Sequence, residues 1–161
     1  MPEKIIFHRL DEKSAQAILQ WQYPPPYDFY NLTASELENI LPYLLDPANA
    51  FHGLFDSEGR LLAFCSFGPD GQVSGGDYRL PALDIGLGLR PDLTGQGHGS
   101  EYVNAVIDFD HQTFTPAQLR VTIAEFNARA LRVWEKAGFW RVQMFRGGPA
   151  NTGFVILLKT L

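Results

Sequence analysis

Three alternating glycines, Gly95, Gly97 and Gly99, lie in a polar turn over residues 90–100. An apolar, strand-like run precedes this turn and a helix-like run follows it. Glycine lets a ligand approach the backbone closely, and the first amides of a helix have no partner within the helix. Those amides and the helix dipole favour negative charge at the same place. The turn therefore predicts a binding site for a phosphate-bearing ligand.

The elements that must position this turn follow from hydrophobic periodicity and turn residues. Strands are predicted near residues 5–7, 50–56, 60–67, 80–90, 118–124, 139–145 and 154–161. Helices are predicted over residues 10–21, 34–44, 100–112 and 127–137. The resulting order, β-α-α-β-β-β-α-β-α-β-β, favours an α/β (α+β mixed) fold, with about seven strands in a mixed sheet and four helices on its faces.

Length and composition limit the class of protein. A chain of 161 residues with 45% apolar and 19% charged residues predicts one globular domain over residues 1–161. The net charge of -5 disfavours a nucleic-acid partner. No apolar run is long enough to span a membrane, and the first residues show no signal-peptide pattern. Because Cys65 is the single cysteine, we expect no internal disulfide and a cytoplasmic location. The histidines, at positions 8, 52, 98 and 111, show no metal-ligand spacing, so no metal is expected.

Two common phosphate-binding turns fit the glycines poorly. A nucleoside triphosphate loop needs Gly-Lys-Ser/Thr at its end, and no lysine follows any of the three glycines. A dinucleotide-binding turn needs Gly-x-Gly-x-x-Gly and an acidic residue about 20 positions later. The spacing here differs and Asp110 comes too early. The residues alone leave this second turn open only as a minor alternative.

The stretch over residues 89–99 resembles the acyl-CoA pyrophosphate loop of the GNAT N-acetyltransferases, whose pattern is Gln/Arg-x-x-Gly-x-Gly/Ala. Thr94, Gly97 and Gly99 occupy the named positions. Thr94 departs from the usual Gln or Arg, and we expect its backbone amide to serve instead. Residues 127–139 resemble a second signature of the family, Asn-x-x-Ala-x-x-x-Tyr-x-x-x-Gly-Phe. Together the two stretches make a specific resemblance.

The resemblance implies transfer of an acetyl group from acetyl-CoA to a primary amine, by direct attack in a ternary complex. It also implies a mostly antiparallel sheet that is splayed between strands 4 and 5. Gly86 and Gly88 can kink strand 4, and the amides of pantetheine can pair with the strand edge that this exposes. The implied cofactor-binding residues are Leu87, Gly88, Leu89, Thr94, Gly95, Gln96, Gly97, His98, Gly99, Ser100, Asn127 and Arg129. Arg90 and Arg132 are further candidates for the CoA phosphates, and each of these arginines is alternatively part of a solvated surface.

The chemistry requires a neutral amine and a leaving thiolate. An alkylamine with a pKa near 10.4 is neutral in only about one molecule in 10³ at pH 7, so a general base helps. Asp84, the single acid in an apolar strand, is the candidate base, and a structural pairing is the alternative. Glu125 and Asp92 are weaker candidates. Trp134 stands where many members of the family carry a tyrosine that protonates the thiolate, and its indole N–H can only donate a hydrogen bond.

The loop between the first two helices is rich in aromatic residues. In the family this loop lines the acceptor site, which implicates Trp21, Tyr23, Tyr27 and Tyr30. Such a wall suits a hydrophobic or cationic amine, either a small molecule or a peptide. Alternatively, the same aromatics only pin the loop to the core. A non-catalytic acyl-CoA-binding domain is the competing function, and exposed sheet edges make a homodimer a further expectation.

Overall fold

The computed structural model describes residues 4–161, which form seven strands and four α-helices in the predicted order. The strands are β1 (Ile6–Arg9), β2 (His52–Phe55), β3 (Leu61–Phe67), β4 (Leu83–Leu89), β5 (Gln118–Ala124), β6 (Trp140–Gly147) and β7 (Thr152–Thr160). The helices are α1 (Glu12–Leu19), α2 (Ala34–Leu45), α3 (Gly99–Phe114) and α4 (Ala128–Lys136). The strands follow the order β1-β2-β3-β4-β5-β7-β6 in one mixed sheet. The predicted fold class is therefore confirmed.

By its internal contacts the chain divides into two compact units. The first contains the residues up to Cys65 together with Leu87–Thr94. In this unit β2 pairs antiparallel with both β1 and β3. Its hydrophobic core brings together residues from both helices and from the segments before α1 and β2, namely Leu10, Ala15, Ile18, Leu44 and Phe51.

The helices of this unit begin at side-chain caps that the sequence encodes. The Asp11 carboxylate accepts the backbone N–H of Ser14 at 2.8 Å, so α1 starts one to two residues later than the periodicity predicts. Thr33 and Glu36 form a capping box at the start of α2. Local polar residues therefore fix where these two helices begin.

The second unit contains Ser66–Gly86 and Gly95–Leu161. Here β7 pairs antiparallel with β5 on one side and with β6 on the other. The β5–β7 ladder runs without a break from Gln118↔Thr160 to Ala124↔Phe154. Fully buried valines and leucines of α3, β5 and β7 form its core, and each contributes about 1.5–3 kcal/mol by burial. This core fixes the position of α3, whose first residue is Gly99.

Strands β4 and β5 run parallel and pair over a very short distance. Leu83 pairs with Leu119 and Asp84 with Arg120, and among the described residues this ladder contains no further pair. β5 then continues for four residues beyond Arg120 and β4 for five beyond Asp84. The end of this ladder, at Asp84 and Arg120, is the reference point for the candidate site.

One carboxylate of the second unit is buried without a hydrogen bond. Asp110 of α3 is completely shielded from solvent, and neither of its oxygens has a hydrogen-bond partner among residues 4–161. Burial disfavours the charged carboxylate, and it raises the pKa of Asp110 to about 7. Ionisation of the buried Asp110 carboxylate therefore lowers the free energy of unfolding.

Candidate functional site

The glycine turn, residues 94–100, consists of backbone in conformations that side chains disfavour. Gly95 and Gly97 have φ angles of +71° and +82°, in the left-handed region. No heavy atom lies within 4 Å of the position that a Cβ at Gly97 would occupy, so the space beside this residue is open. Glycine is therefore required here by the backbone angle, and it leaves room for a ligand at the turn.

The first turn of α3 offers its amides to that space. His98 is the N-cap residue and makes no side-chain capping bond to the helix. Its ring instead contacts the Glu101 carboxylate, with Nδ1 and Oε1 3.3 Å apart. Gly99 packs against Val133 of α4, where a Cβ would come within 3.2 Å of a valine methyl carbon. The start of α3 is thus held by packing, and its orphan N–H groups suit an anion.

Arg129 brings positive charge to the glycine turn. Its Nη1 lies 2.8 Å from the position that a Cβ at Gly95 would occupy, so the guanidinium reaches over the turn. A side chain at Gly95 would displace it. Arg90, in contrast, is engaged elsewhere, because it binds the Asp92 carboxylate at 2.6 Å and the Leu61 carbonyl of β3 at 2.8 Å. The guanidinium of Arg90 also holds the pKa of Asp92 below its usual range.

Thr94 differs from the expectation. Its backbone N–H donates to the Pro91 carbonyl at 3.2 Å, and its hydroxyl donates to the same oxygen at 2.7 Å. Both bonds close the single 3-10 turn over Pro91–Leu93. The amide of Thr94 therefore stabilises this turn, and the expectation that it serves the ligand is corrected.

Asn127 caps the helix that carries Arg129. Its Oδ1 accepts the N–H of Ala130 at 3.1 Å, and its own N–H donates to the Ala124 carbonyl at 2.9 Å. The second signature therefore has a local structural cause, since an N-cap residue defines the start of α4. The role of Asn127 at a cofactor stays a prediction.

The end of the parallel ladder is polar and buried. Arg120 donates to both oxygens of Asp84, at 2.6 and 2.8 Å, and to the Leu80 carbonyl at 2.7 Å. Gln72 donates to the same carboxylate at 2.9 Å. The Asp84 and Arg120 side chains are each only 4% exposed. The hydrogen bond from Arg120 to Asp84 is the largest cause that raises the pKa of Arg120.

This pairing matches the structural alternative for Asp84. A base must offer a lone pair to a substrate proton, whereas both carboxylate oxygens here already accept charge-assisted bonds. The expectation of an unpaired carboxylate in an apolar strand is thereby corrected. The carboxylate is paired because Arg120 lies opposite Asp84 in the parallel register, on the same face of the sheet.

Further polar side chains surround this ion pair. The Tyr78 hydroxyl accepts the Val73 N–H at 2.9 Å and shares a hydrogen bond of 2.8 Å with the Thr122 hydroxyl. The Tyr78 ring lies 4.9 Å below the Arg120 guanidinium carbon. Ser66 donates to Asp70 at 2.7 Å. We call this set the ladder-end cluster; it comprises Ser66, Asp70, Gln72, Tyr78, Asp84, Arg120 and Thr122.

Sequence reasoning did not find most of this cluster. Gln72 and Tyr78 lie between the predicted strands over residues 60–67 and 80–90, and no periodic pattern shows where a loop of this kind packs. One signal was present: Arg120 is a charged residue in an alternating strand whose neighbours are apolar. A charge at such a position needs a buried partner, and Asp84 was the available acid.

Trp134 lies in the core. Its side chain is 4% exposed and packs edge-to-face against Phe139, with ring centroids 5.0 Å apart. This contact explains the indole as a packing residue of α4. A direct role in the chemistry, as the sequence predicts, has no support from this placement.

The aromatic loop divides into a pinned part and an exposed part. The Tyr23 hydroxyl donates to the Leu89 carbonyl at 2.6 Å, and Asn31 binds both the N–H and the carbonyl of Tyr23. Burial raises the pKa of Tyr23 to about 12, so this phenol stays protonated. Trp21 packs on Phe64 with ring centroids 5.9 Å apart. Two of the four predicted acceptor residues thus hold the loop in place.

The exposed part is a short 3-10 helix over Tyr27–Tyr30. Phe29 and Tyr30 are each 41% exposed, and their rings meet edge-to-face at 5.1 Å. Tyr27 is half-buried. An exposed aromatic pair suits apolar or cationic ligands. Trp21 and Tyr23 therefore follow the structural alternative, while the acceptor role of Tyr27 and Tyr30 stays a prediction.

Within the part of the chain that the structure describes, no three His, Cys, Asp or Glu side chains are arranged to hold a metal ion. No described helix combines the length and the apolar character that crossing a membrane requires. Cys65 is buried.

Comparison with known proteins adds the following. The model of the acetyltransferase (GNAT) family matches residues 14–139. A search of curated protein sequences finds no match. A solved spermidine N-acetyltransferase from Vibrio cholerae, in complex with CoA and spermine, is 14% identical with a TM-score of 0.73, covering 97% of this chain and 95% of that one. A GNAT-family acetyltransferase from Bacillus anthracis is 17% identical with a TM-score of 0.74, covering 98% of this chain and 95% of that one. At such identities the likeness to these structures concerns the fold.

Proposed function

The chain belongs to the GNAT acetyltransferase family, and from this premise we propose that it transfers an acetyl group from acetyl-CoA to a primary amine by direct attack in a ternary complex. The observation that carries the proposal is the glycine turn. Two left-handed glycines precede an α3 start that has no side-chain cap, and the Arg129 guanidinium reaches over the turn. This combination of main-chain donors and one cation fits a pyrophosphate.

The cofactor would be held mainly by backbone. In this proposal the N–H groups of residues 95–100 bind the pyrophosphate, and Arg129 neutralises part of its charge. Leu87, Gly88 and Leu89 pair with the pantetheine amides as an added strand. Asn127 contacts the pantetheine arm from the start of α4. Glycine at position 88 also has a packing cause, because a Cβ there would come within 2.5 Å of the Phe64 ring.

The acceptor would be a small aliphatic amine. The net charge of -5 and the exposed aromatic pair, Phe29 and Tyr30, both favour a cationic ligand. The solved relative from Vibrio cholerae is named as an acetyltransferase of spermidine, which is itself such an amine. We therefore place polyamines first among the acceptors to be tested, followed by amino acids and short peptides.

The roles of Asp84 and Trp134 change in this proposal. Asp84 holds Arg120 and the end of the parallel ladder, because its oxygens are occupied. Trp134 packs α4 against Phe139. Proton transfer then falls to other groups of the ladder-end cluster or to solvent.

Two measurements test the proposal. Titration calorimetry with acetyl-CoA measures binding, and release of free thiol measured with a chromogenic reagent reports turnover against a panel of amines. We expect saturable binding at micromolar concentrations and thiol release that depends on at least one amine, with acetylated amine detected by mass spectrometry. Binding of acetyl-CoA with no turnover on any amine would instead favour a non-catalytic acyl-CoA-binding domain. The occupied Asp84 and the buried Trp134 are the observations behind that second candidate.

A further inference from the structure

The outer strand of the second unit presents large apolar side chains to solvent. β6 lies at the end of the strand order, and β7 is its single neighbour in the sheet that residues 4–161 form. Trp140, Val142 and Met144 of this strand are 48%, 47% and 60% exposed. The outer side of an edge strand also carries backbone N–H and C=O groups that no neighbouring strand pairs. An edge of this kind can accept a further strand by main-chain hydrogen bonds.

The strand at the other end of the order differs in length and in charge. β1 has only four residues, and its two exposed ones are His8 and Arg9. A short strand with exposed charge is a usual protection of a sheet edge against pairing. β6 has eight residues, and it contains neither proline nor lysine. Of these two strands, β6 is therefore the one whose edge is suited to accept another strand.

The cations of β6 are engaged within the chain. Arg141 binds the Glu135 carboxylate at 3.0 Å, and Arg146 donates to the Asn151 carbonyl at 2.8 Å. Because these contacts occupy the guanidinium groups, the edge is poorly suited to an acidic peptide. Apolar side chains and backbone groups remain for recognition, and a second β6 strand presents the same features over the same length. The edge is thus complementary to its own copy.

A β-bulge limits the length over which this edge can pair. Arg141 pairs with Leu157 and Gln143 with Ile156. Val142, which lies between them in β6, has no partner in β7. Beyond the bulge the pairing with β7 is regular to the end of the strand. Since a bulge increases the local twist, we expect a partner strand to pair over a few residues only.

Like charges restrict the register of two β6 strands. Two copies related by a two-fold axis would pair antiparallel across that axis. With the axis between Gln143 and Met144, Arg141 would face Arg146 of the second copy, which is unfavourable. With the axis at Gln143, Val142 faces Met144 of the second copy, and neither arginine faces an arginine. The exposed apolar residues then cover one another.

We propose that β6 pairs antiparallel with β6 of a second copy of this chain, about a two-fold axis at Gln143. The two copies form a homodimer in which one sheet continues across the axis. Because the same edge serves in both copies, the contact uses up the free edge of each, and the assembly closes at two chains. This inference goes beyond the proposed function and does not depend on it.

Sedimentation velocity of the full chain, measured at increasing concentrations, tests the assembly. We expect twice the mass of one chain at micromolar concentrations. Met144→Lys should raise the dissociation constant of the dimer at least about tenfold, because the ammonium group would be buried against Val142 of the second copy. Leu80→Lys is the matched control, since Leu80 is an exposed apolar residue of the same unit outside β6, and it should leave the dimer unchanged.

Cysteine crosslinking tests the position of the axis. In Gln143→Cys the new thiols face each other across the axis. In Met144→Cys they lie on a diagonal of about 7–8 Å between Cα atoms, beyond the reach of a disulfide. Under mild oxidation we therefore expect a covalent dimer of Gln143→Cys and little of Met144→Cys. The wild-type chain, whose Cys65 is buried, should form none.

A wild-type chain that stays monomeric at these concentrations would overturn the proposal, as would a dimer that Met144→Lys leaves intact. Crosslinking of Met144→Cys in preference to Gln143→Cys would overturn the axis at Gln143. Circular dichroism checks that each variant is folded, and Val142→Lys replaces Met144→Lys if that variant is not. None of these outcomes alters the test of the proposed function, which measures turnover.

Discussion

The glycine turn, from Gly95 onwards, and the ladder-end cluster belong to the same compact unit but are built from different parts of the chain. The turn consists mainly of backbone groups, namely left-handed glycines and helix amides, with one arginine that reaches over them. The cluster consists of side chains from β3, β4, β5 and the loop over residues 68–82. A main-chain site depends on local backbone angles, whereas a side-chain site depends on which elements meet. The two regions should therefore respond differently to substitution.

The largest effect is expected in the ladder-end cluster. Arg120→Met leaves the Asp84 carboxylate buried without its partner, which should lower the free energy of unfolding by about 3–5 kcal/mol. Urea denaturation followed by circular dichroism measures this loss. Arg79→Met is the control, because its ion pair with Asp77 is exposed and should change nothing measurable. The double variant Arg120→Met with Asp84→Leu should recover most of the loss, and a failure to recover would show that Arg120 acts through other contacts.

Asp110 is a second buried carboxylate, and unlike Asp84 it has no hydrogen-bond partner among residues 4–161. The pKa of Asp110 is raised from its ordinary value of 3.8 to about 7, so the folded state favours its protonated form. The stability contributed by that protonated form is complete below pH 3.8 and is lost as the pH rises towards 7, with an upper bound of about 4 kcal/mol. Asp110→Asn should remove this pH dependence between pH 4 and 7. Asp108→Asn, an exposed aspartate on the same helix, should retain it.

The glycine turn can be tested with a closely matched pair of glycines. Gly97 and Gly59 have φ angles of +82° and +81°, and neither has a heavy atom within 4 Å of its Cβ position. Alanine at either position should cost about 1 kcal/mol of stability from the left-handed backbone. In calorimetry, only Gly97→Ala should weaken acetyl-CoA binding, by about tenfold or 1.4 kcal/mol. Equal affinities of the two variants for acetyl-CoA would show that the glycine turn does not bind the cofactor.

The smallest expected effect concerns the aromatic loop of the first unit. Tyr23→Phe deletes one hydrogen bond, the 2.6 Å contact to the Leu89 carbonyl. Because phenylalanine keeps the ring packing, the loss of stability should be about 0.5–1.5 kcal/mol. Thermal unfolding measures it. A loss above this range would mean that the hydroxyl holds more of the loop than the single bond accounts for.

The fold could be predicted from the sequence because its signals are local. The capping box of Thr33 and Glu36 lies at the first turn of α2, and Gly138, with a positive φ of 103°, comes two residues after the end of α4. The main errors are at element ends, as at α1, where Asp11 rather than Leu10 marks the boundary. Hydrophobic periodicity cannot resolve one residue at a helix end, but a capping side chain can.

The candidate site could be predicted only where it is made of backbone. The glycine turn and the start of α3 lie where the spacing of the glycines placed them. Asp84 was identified but given the wrong environment, because its partner Arg120 is 36 positions away in the chain. Asp70 was missed altogether, since its place above Gly86 depends on how one loop folds onto β4. Contacts between distant segments carry no signal in residue spacing.

The left-handed glycines also bear on how such a protein can be detected. A turn whose shape depends on the dihedral angles of Gly95 and Gly97 places few demands on the identities of its other residues, such as Gln96 and His98. Its shape can therefore be kept while those residues change. The whole chain shows the same relation, since its path matches the solved structures over nearly its full length at 14–17% identity. In such a chain the backbone conformation is retained where the identities of the side chains are not.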